Sequence, residues 1–221
     1  MADCCSDKQC ELELLRASQS RTLKAVLAIN AVMFLVELGA GLLSGSSALL
    51  ADSLDNLGDA LTYGLSLYAV SRSPRAKAFV ALFKGGLILA AALFVLGQLA
   101  YRIVAPVMPG FETMGLVGFL ALAANGTCFA LLWRHRSEDV NMRSVWECSR
   151  NDIASNLAVL LAALGVWAMQ SRWPDLAVGA ALALLLFVSA QRVVRDAWST
   201  LRITPSQRRP DRSRGRAPRA G

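Results

Sequence analysis

The chain has 221 residues, 55% of them hydrophobic, with a mean hydropathy of +0.43 and a formal net charge of +7. A soluble domain usually carries about 45–50% apolar residues, so the excess points to a membrane protein. The basic charge gathers between and beyond the apolar stretches, which reads as a topology signal and argues against nucleic acid as a partner.

Residues 1–21 are polar and contain Cys4, Cys5 and Cys10. They lack the apolar core of a cleavable signal peptide. After them come six stretches of the length that crosses a bilayer, about 20 mostly apolar residues each. They are 22–44, 48–71, 78–104, 113–133, 145–169 and 175–195. The expected fold class is therefore an all-α membrane protein with six transmembrane helices. Its units are a cytoplasmic segment 1–21, a helical domain 22–195 and a basic, disordered tail 196–221.

Positive charge favours the cytoplasmic side of a membrane. Lys8, Arg16, Arg21 and Lys24 precede or open the first stretch; Arg72, Arg75 and Lys77 follow the second; Arg134, Arg136 and Arg143 follow the fourth. Seven arginines lie beyond the last, from Arg202 to Arg219, where they could touch anionic headgroups or stay solvated. The intervening loops are nearly bare apart from Arg102 and Arg172. Both termini are expected in the cytoplasm, where thiols stay reduced and a disulfide framework is not expected.

The stretch LADSLDNLGD, residues 50–59, conflicts with this pattern by placing Asp52, Asp55 and Asp59 inside the second apolar run. Each carboxylate near the bilayer centre costs roughly 2.5–3.5 kcal/mol on the insertion scale. Asp52 lies near the start of its helix and could stay hydrated, whereas Asp55 and Asp59 lie deeper. At 3.6 residues per turn the three span an arc of about 60°. In the fifth stretch Cys148, Asp152 and Asn156 span about 80°. Asp55-Asn-Leu-Gly-Asp59 and Cys148-Ser-Arg-Asn-Asp152 form a faint internal repeat, a potential ligand followed four residues later by Asp.

Two polar stripes facing one another could share a cation or protons, and intramembrane ionisable residues mark ion pathways. Asp55, Asp59, Cys148 and Asp152 suit a tetrahedral cation such as zinc, with cadmium or cobalt as neighbours. Thiolate argues against magnesium and calcium, which want oxygen shells. The alternative for Cys148 is a small buried apolar residue. Asp52, Asn156, Glu37 and Asn125 are candidates to line the same cavity. Glu37 could instead pair with Lys84, and Lys84 could snorkel to the aqueous edge. Asn30 and Asn125 also fit interhelical hydrogen bonds. Cys4, Cys5 and Cys10 are candidates for metal capture at the cytoplasmic mouth, or an incidental thiol cluster without a folded scaffold.

The run SGSSALLADSLDNLGDAL resembles the second helix of cation diffusion facilitator transporters, and the fifth stretch resembles their second ligand-xxx-Asp pair. The resemblance covers roughly residues 20–195. It implies a secondary transporter that exports divalent metal from the cytoplasm in exchange for protons. Asp55 stands where members carry His or Asp, Asp59 and Asp152 where they carry Asp, and Cys148 where many carry His. Members usually end in a folded cytoplasmic domain that supports a homodimer, and many carry a histidine-rich loop. Here a basic tail follows the sixth stretch, and His135 is the one histidine.

The expected function is thus proton-coupled export of a divalent transition metal through the cell membrane, with no permanently bound cofactor and no enzymatic activity. The metal and protons are its small partners and the bilayer its solvent. A P-loop is missing from the sequence, which removes ATP-driven pumping by this chain. The alternatives are a membrane metal sensor that binds without moving its ligand, and a passive cation channel.

Overall fold

The computed structural model describes residues 4–69, 74–133 and 142–202, with side chains for 21–22, 24–65, 78–132, 151–199 and 201. These residues form α1 (Cys4–Ser44), α2 (Ser47–Ala69), α3 (Pro74–Val104), α4 (Phe111–Trp133), α5 (Met142–Met169) and α6 (Trp173–Arg202), with no strand among them. Each apolar stretch becomes one helix, and several helices outrun their stretch. α1 begins at Cys4, inside the segment read as polar and unscaffolded. α6 continues to Arg202, so residues 196–202 are helix and do not belong to the expected tail. The cause is general: hydropathy measures the thickness of the oil, whereas backbone hydrogen bonding carries a helix into water wherever the residues tolerate it.

Five helical segments are long and apolar enough to span a bilayer: Lys24–Ser44, Ala78–Val104, Phe111–Leu132, Asn151–Met169 and Trp173–Ser199. The helix missing from that set is α2, whose three aspartates lower its hydropathy. Its position accounts for this. α1, α3, α5 and α6 all pack on α2, and every residue from Ala48 to Leu54 is buried. A helix enclosed by protein needs no apolar face toward lipid, so it can carry charge that a peripheral helix could not.

The outer surface is of the opposite kind. Leu35, Leu43, Phe79, Phe94, Phe119 and Leu185 are exposed, as in a protein whose solvent is hydrocarbon. Inside, Leu49, Leu50 and Leu54 of α2 pack with Val95, Leu99, Met114, Val159, Val166 and Leu182 from the surrounding helices. α1 packs extensively on α2, α3 on α6 and α4 on α5. Small residues let backbones approach closely. A Cβ added at Gly85 of α3 would lie 2.9 Å from Val194 Cγ2 of α6, and one at Gly179 of α6 would lie 2.8 Å from the Ser47 backbone.

Candidate metal centre

The polar groups of α2 fall into two sets, one at its first turn and one in its middle. The first turn starts from how α1 ends. Gly45 has φ +70°, a left-handed conformation that costs glycine little. It lets the Ser46 amide donate to the Gly41 carbonyl at 3.0 Å, the six-to-one bond of a Schellman motif. The chain thereby reverses in two residues, and Ser46 becomes the N-cap of α2.

A helix start leaves four amides without intrahelical partners. Here the first three all find acceptors: Ser47 N donates to Asp175 Oδ2 at 2.8 Å, Ala48 N to Asp175 Oδ1 at 3.0 Å and Leu49 N to Ser46 Oγ at 3.1 Å. The Ser46 hydroxyl itself donates to Asp175 Oδ1 at 2.6 Å. Asp175 belongs to the first turn of α6 and is 1% exposed. From the end of α3, Arg102 Nη1 donates to Gly45 O at 2.5 Å and to Ser47 Oγ at 2.8 Å. Ser47 therefore joins the two charges, its hydroxyl accepting from Arg102 and its amide donating to Asp175. The serines belong to the SGSSALLADS run noted in the sequence, whereas Asp175 did not stand out. An acidic residue in a first turn is ordinary, and its target lies about 128 residues away along the chain.

One turn further along α2 the situation changes. Asp52 is 2% exposed, and its Oδ2 has no hydrogen-bond partner among the described residues. Of the two readings open for Asp52, hydration near the surface does not fit this burial. Asp52 is buried while Asp55 and Asp59 are half-buried. Glu37 of α1 is fully buried and accepts from Asn56 Nδ2 at 2.9 Å through both carboxylate oxygens. This replaces the expected Glu37–Lys84 pair. Lys84 is 2% exposed, so it does not reach the aqueous edge, and its ammonium donates to Thr62 Oγ1.

On α5, Asn156 is fully buried; its Nδ2 donates to Asp152 O at 2.6 Å while its Oδ1 lacks a partner among the described residues. α1, α2 and α5 pack on one another, and between them they carry Glu37, Asp52, Asp55, Asp152 and the two asparagines.

The remaining expected residues are distributed as follows. Asn125 is buried on α4 one turn from Cys128. Asn30 of α1 donates to Val26 O at 2.9 Å and to Cys128 Sγ of α4 at 3.7 Å, an interhelical contact of the expected kind. The side chains of Cys148, Cys4, Cys5 and Cys10 lie outside the described residues, as does the tail beyond Arg202. Among the described residues no three His, Cys, Asp or Glu side chains are grouped closely enough to hold a metal ion.

Residues 23–202 match the model of the cation efflux transmembrane domain. The chain belongs to that family, in agreement with the resemblance drawn from its second and fifth apolar stretches. It is an integral membrane protein of the class that moves metal cations across membranes. No curated protein matches the chain.

Proposed function

We propose that the protein exports a divalent transition metal, zinc or a soft neighbour such as cadmium or cobalt, from the cytoplasm in exchange for protons. The metal is the transported substrate, held by Asp55 and Asp59 of α2 with Cys148 and Asp152 of α5. Ligands must be deprotonated to bind, so metal release and proton uptake are coupled at the same carboxylates. In this reading α2 crosses as a sixth span, both termini face the cytoplasm, and the site opens to each side in turn.

One observation carries the proposal: two buried oxygens, Asp52 Oδ2 on α2 and Asn156 Oδ1 on α5, have no partner among the described residues. A buried polar atom without a partner costs about 1–3 kcal/mol. A protein that leaves such atoms on its two ligand-bearing helices gains if something polar passes between them.

The test is zinc uptake into proteoliposomes. Export coupled to protons requires accumulation against the zinc gradient when a pH gradient is imposed, and loss of accumulation when it is collapsed. Flux indifferent to the pH gradient would leave a channel, and binding without flux a sensor. Fusion reporters at residues 1 and 221 should both read cytoplasmic; a reading from the opposite side at either end would remove the sixth span.

A further inference from the structure

The clasp at the first turn of α2 is more elaborate than a cap requires. One serine or aspartate from the same chain segment normally serves a helix start. Here the cap residue Ser46 is supplemented by a carboxylate from α6 and a guanidinium from α3, so two distant parts of the chain converge on Gly45, Ser46 and Ser47. Backbone contact accompanies the polar one, since Gly179 leaves no room for even a methyl group against Ser47. α2 is consequently fixed to α6 in both depth and rotation at this point.

Rotation is the component that matters for the carboxylates. Asp52 follows Ala48 by one turn and Asp55 by about two, or roughly 10 Å along a stiff rod. A one-residue slip at the first turn would swing each of these side chains by about 100°. We infer that Asp175 is a positioning residue: through its hold on the Ser46, Ser47 and Ala48 donors it sets the rotation of α2, and with it the direction in which Asp52, Asp55 and Asp59 present their oxygens. Arg102 supports the same setting from α3. This role rests on the proposed metal site, and it assigns Asp175 no contact with the metal.

The chemistry of the clasp makes it testable with an isosteric change. Asp175 offers two acceptor oxygens to three donors. Asp175→Asn keeps the shape but turns one of those oxygens into an amide that faces donors, so at least one buried amide loses its acceptor. Asp175→Glu keeps both oxygens. The experiment is zinc titration of the purified full chain in lipid nanodiscs, with hydrogen exchange measured on the same samples.

The expected result for Asp175→Asn is faster exchange at the amides of Ser47, Ala48 and Leu49 together with zinc affinity weakened about tenfold or more, the scale on which outer partners of ligands act. Asp175→Glu should recover most of the affinity, and Arg102→Gln should weaken it in the same direction by less. A clasp that only stabilises the fold would accelerate exchange and leave zinc affinity of the folded protein unchanged, which would overturn the inference. If Asp175→Asn does not fold, Arg102→Gln decides by the same pair of readouts. If the wild type binds no zinc, the metal reading falls and takes this role with it. A binding wild type beside an unaltered Asp175→Asn removes the role of Asp175 alone.

Discussion

The first turn of α2 and the stretch that follows it are both polar, yet they treat their polar groups differently. At the turn the first amides of α2 all have acceptors: Asp175 takes those of Ser47 and Ala48, Ser46 takes that of Leu49, and Arg102 takes up the Gly45 carbonyl, while the Ser44 hydroxyl just before them has no partner among the described residues. One turn further along, Asp52 Oδ2 has none among the described residues, and neither does Asn156 Oδ1 on α5. A satisfied buried network specifies a unique packing, whereas a partly satisfied one stores unfavourable energy that a ligand can relieve. In the proposed reading the turn is a brace and the stretch beyond it a site. The same residue type, aspartate, serves both, so the distinction lies in partners and is invisible in composition.

Substitutions should separate the two regions, and the largest effect belongs to the middle. Asp59→Ala and Asp152→Ala should each abolish metal transport, measured as flux per inserted molecule, while leaving insertion near wild type. Wild-type flux in both variants would remove the proposed site.

Next come the two isosteric changes, which should differ in sign. Asp175→Asn leaves a buried amide unpaired and should destabilise the folded protein by about 1–3 kcal/mol. Asp52→Asn removes a carboxylate that has an unpartnered oxygen, and should be neutral or stabilising while lowering flux. Denaturation of both variants in the same detergent checks this; a common sign would erase the contrast between brace and site.

Packing gives a second matched pair. A Cβ at Gly179 would meet Ser47 backbone at 2.8 Å, whereas one at Gly86 has nothing within 4 Å. Gly179→Ala should therefore cost about 1–3 kcal/mol by overpacking. Gly86→Ala should instead stabilise α3 by up to about 1 kcal/mol through helix propensity. Thermal unfolding midpoints compare the two. Smallest is Ser46→Ala, which removes the acceptor of the Leu49 amide and the donor to Asp175. It should cost about 1 kcal/mol, the usual value of an N-cap, read by the same unfolding assay.

Much of this arrangement is legible in the sequence, and the limits follow from what a sequence encodes locally. Six apolar stretches predict six helices because the bilayer imposes one length on each. Helical spacing predicts that Asp52, Asp55 and Asp59 share a face of α2, because the period is a local property. Which of the three is most enclosed is not local. Asp52 sits nearest the helix start, where hydration was one reading, yet it is buried. Asp175 escaped notice for the same reason: its partners come from residues 46–48, and only the packing of α6 on α2 brings them together. The preference of Glu37 for Asn56 over Lys84 likewise depends on how α1 and α2 are rotated against each other.

The central claim is that the middle of α2 and the facing part of α5 hold the cation. X-ray absorption of zinc bound to the chain, with Cys4, Cys5 and Cys10 changed to serine, tests it most directly. The account predicts a four-coordinate shell of oxygens at about 2.0–2.2 Å with one sulfur at about 2.3 Å, the sulfur lost in Cys148→Ala and the shell lost in Asp59→Ala and Asp152→Ala. A six-coordinate shell of oxygen alone, unchanged by all three substitutions, would contradict it.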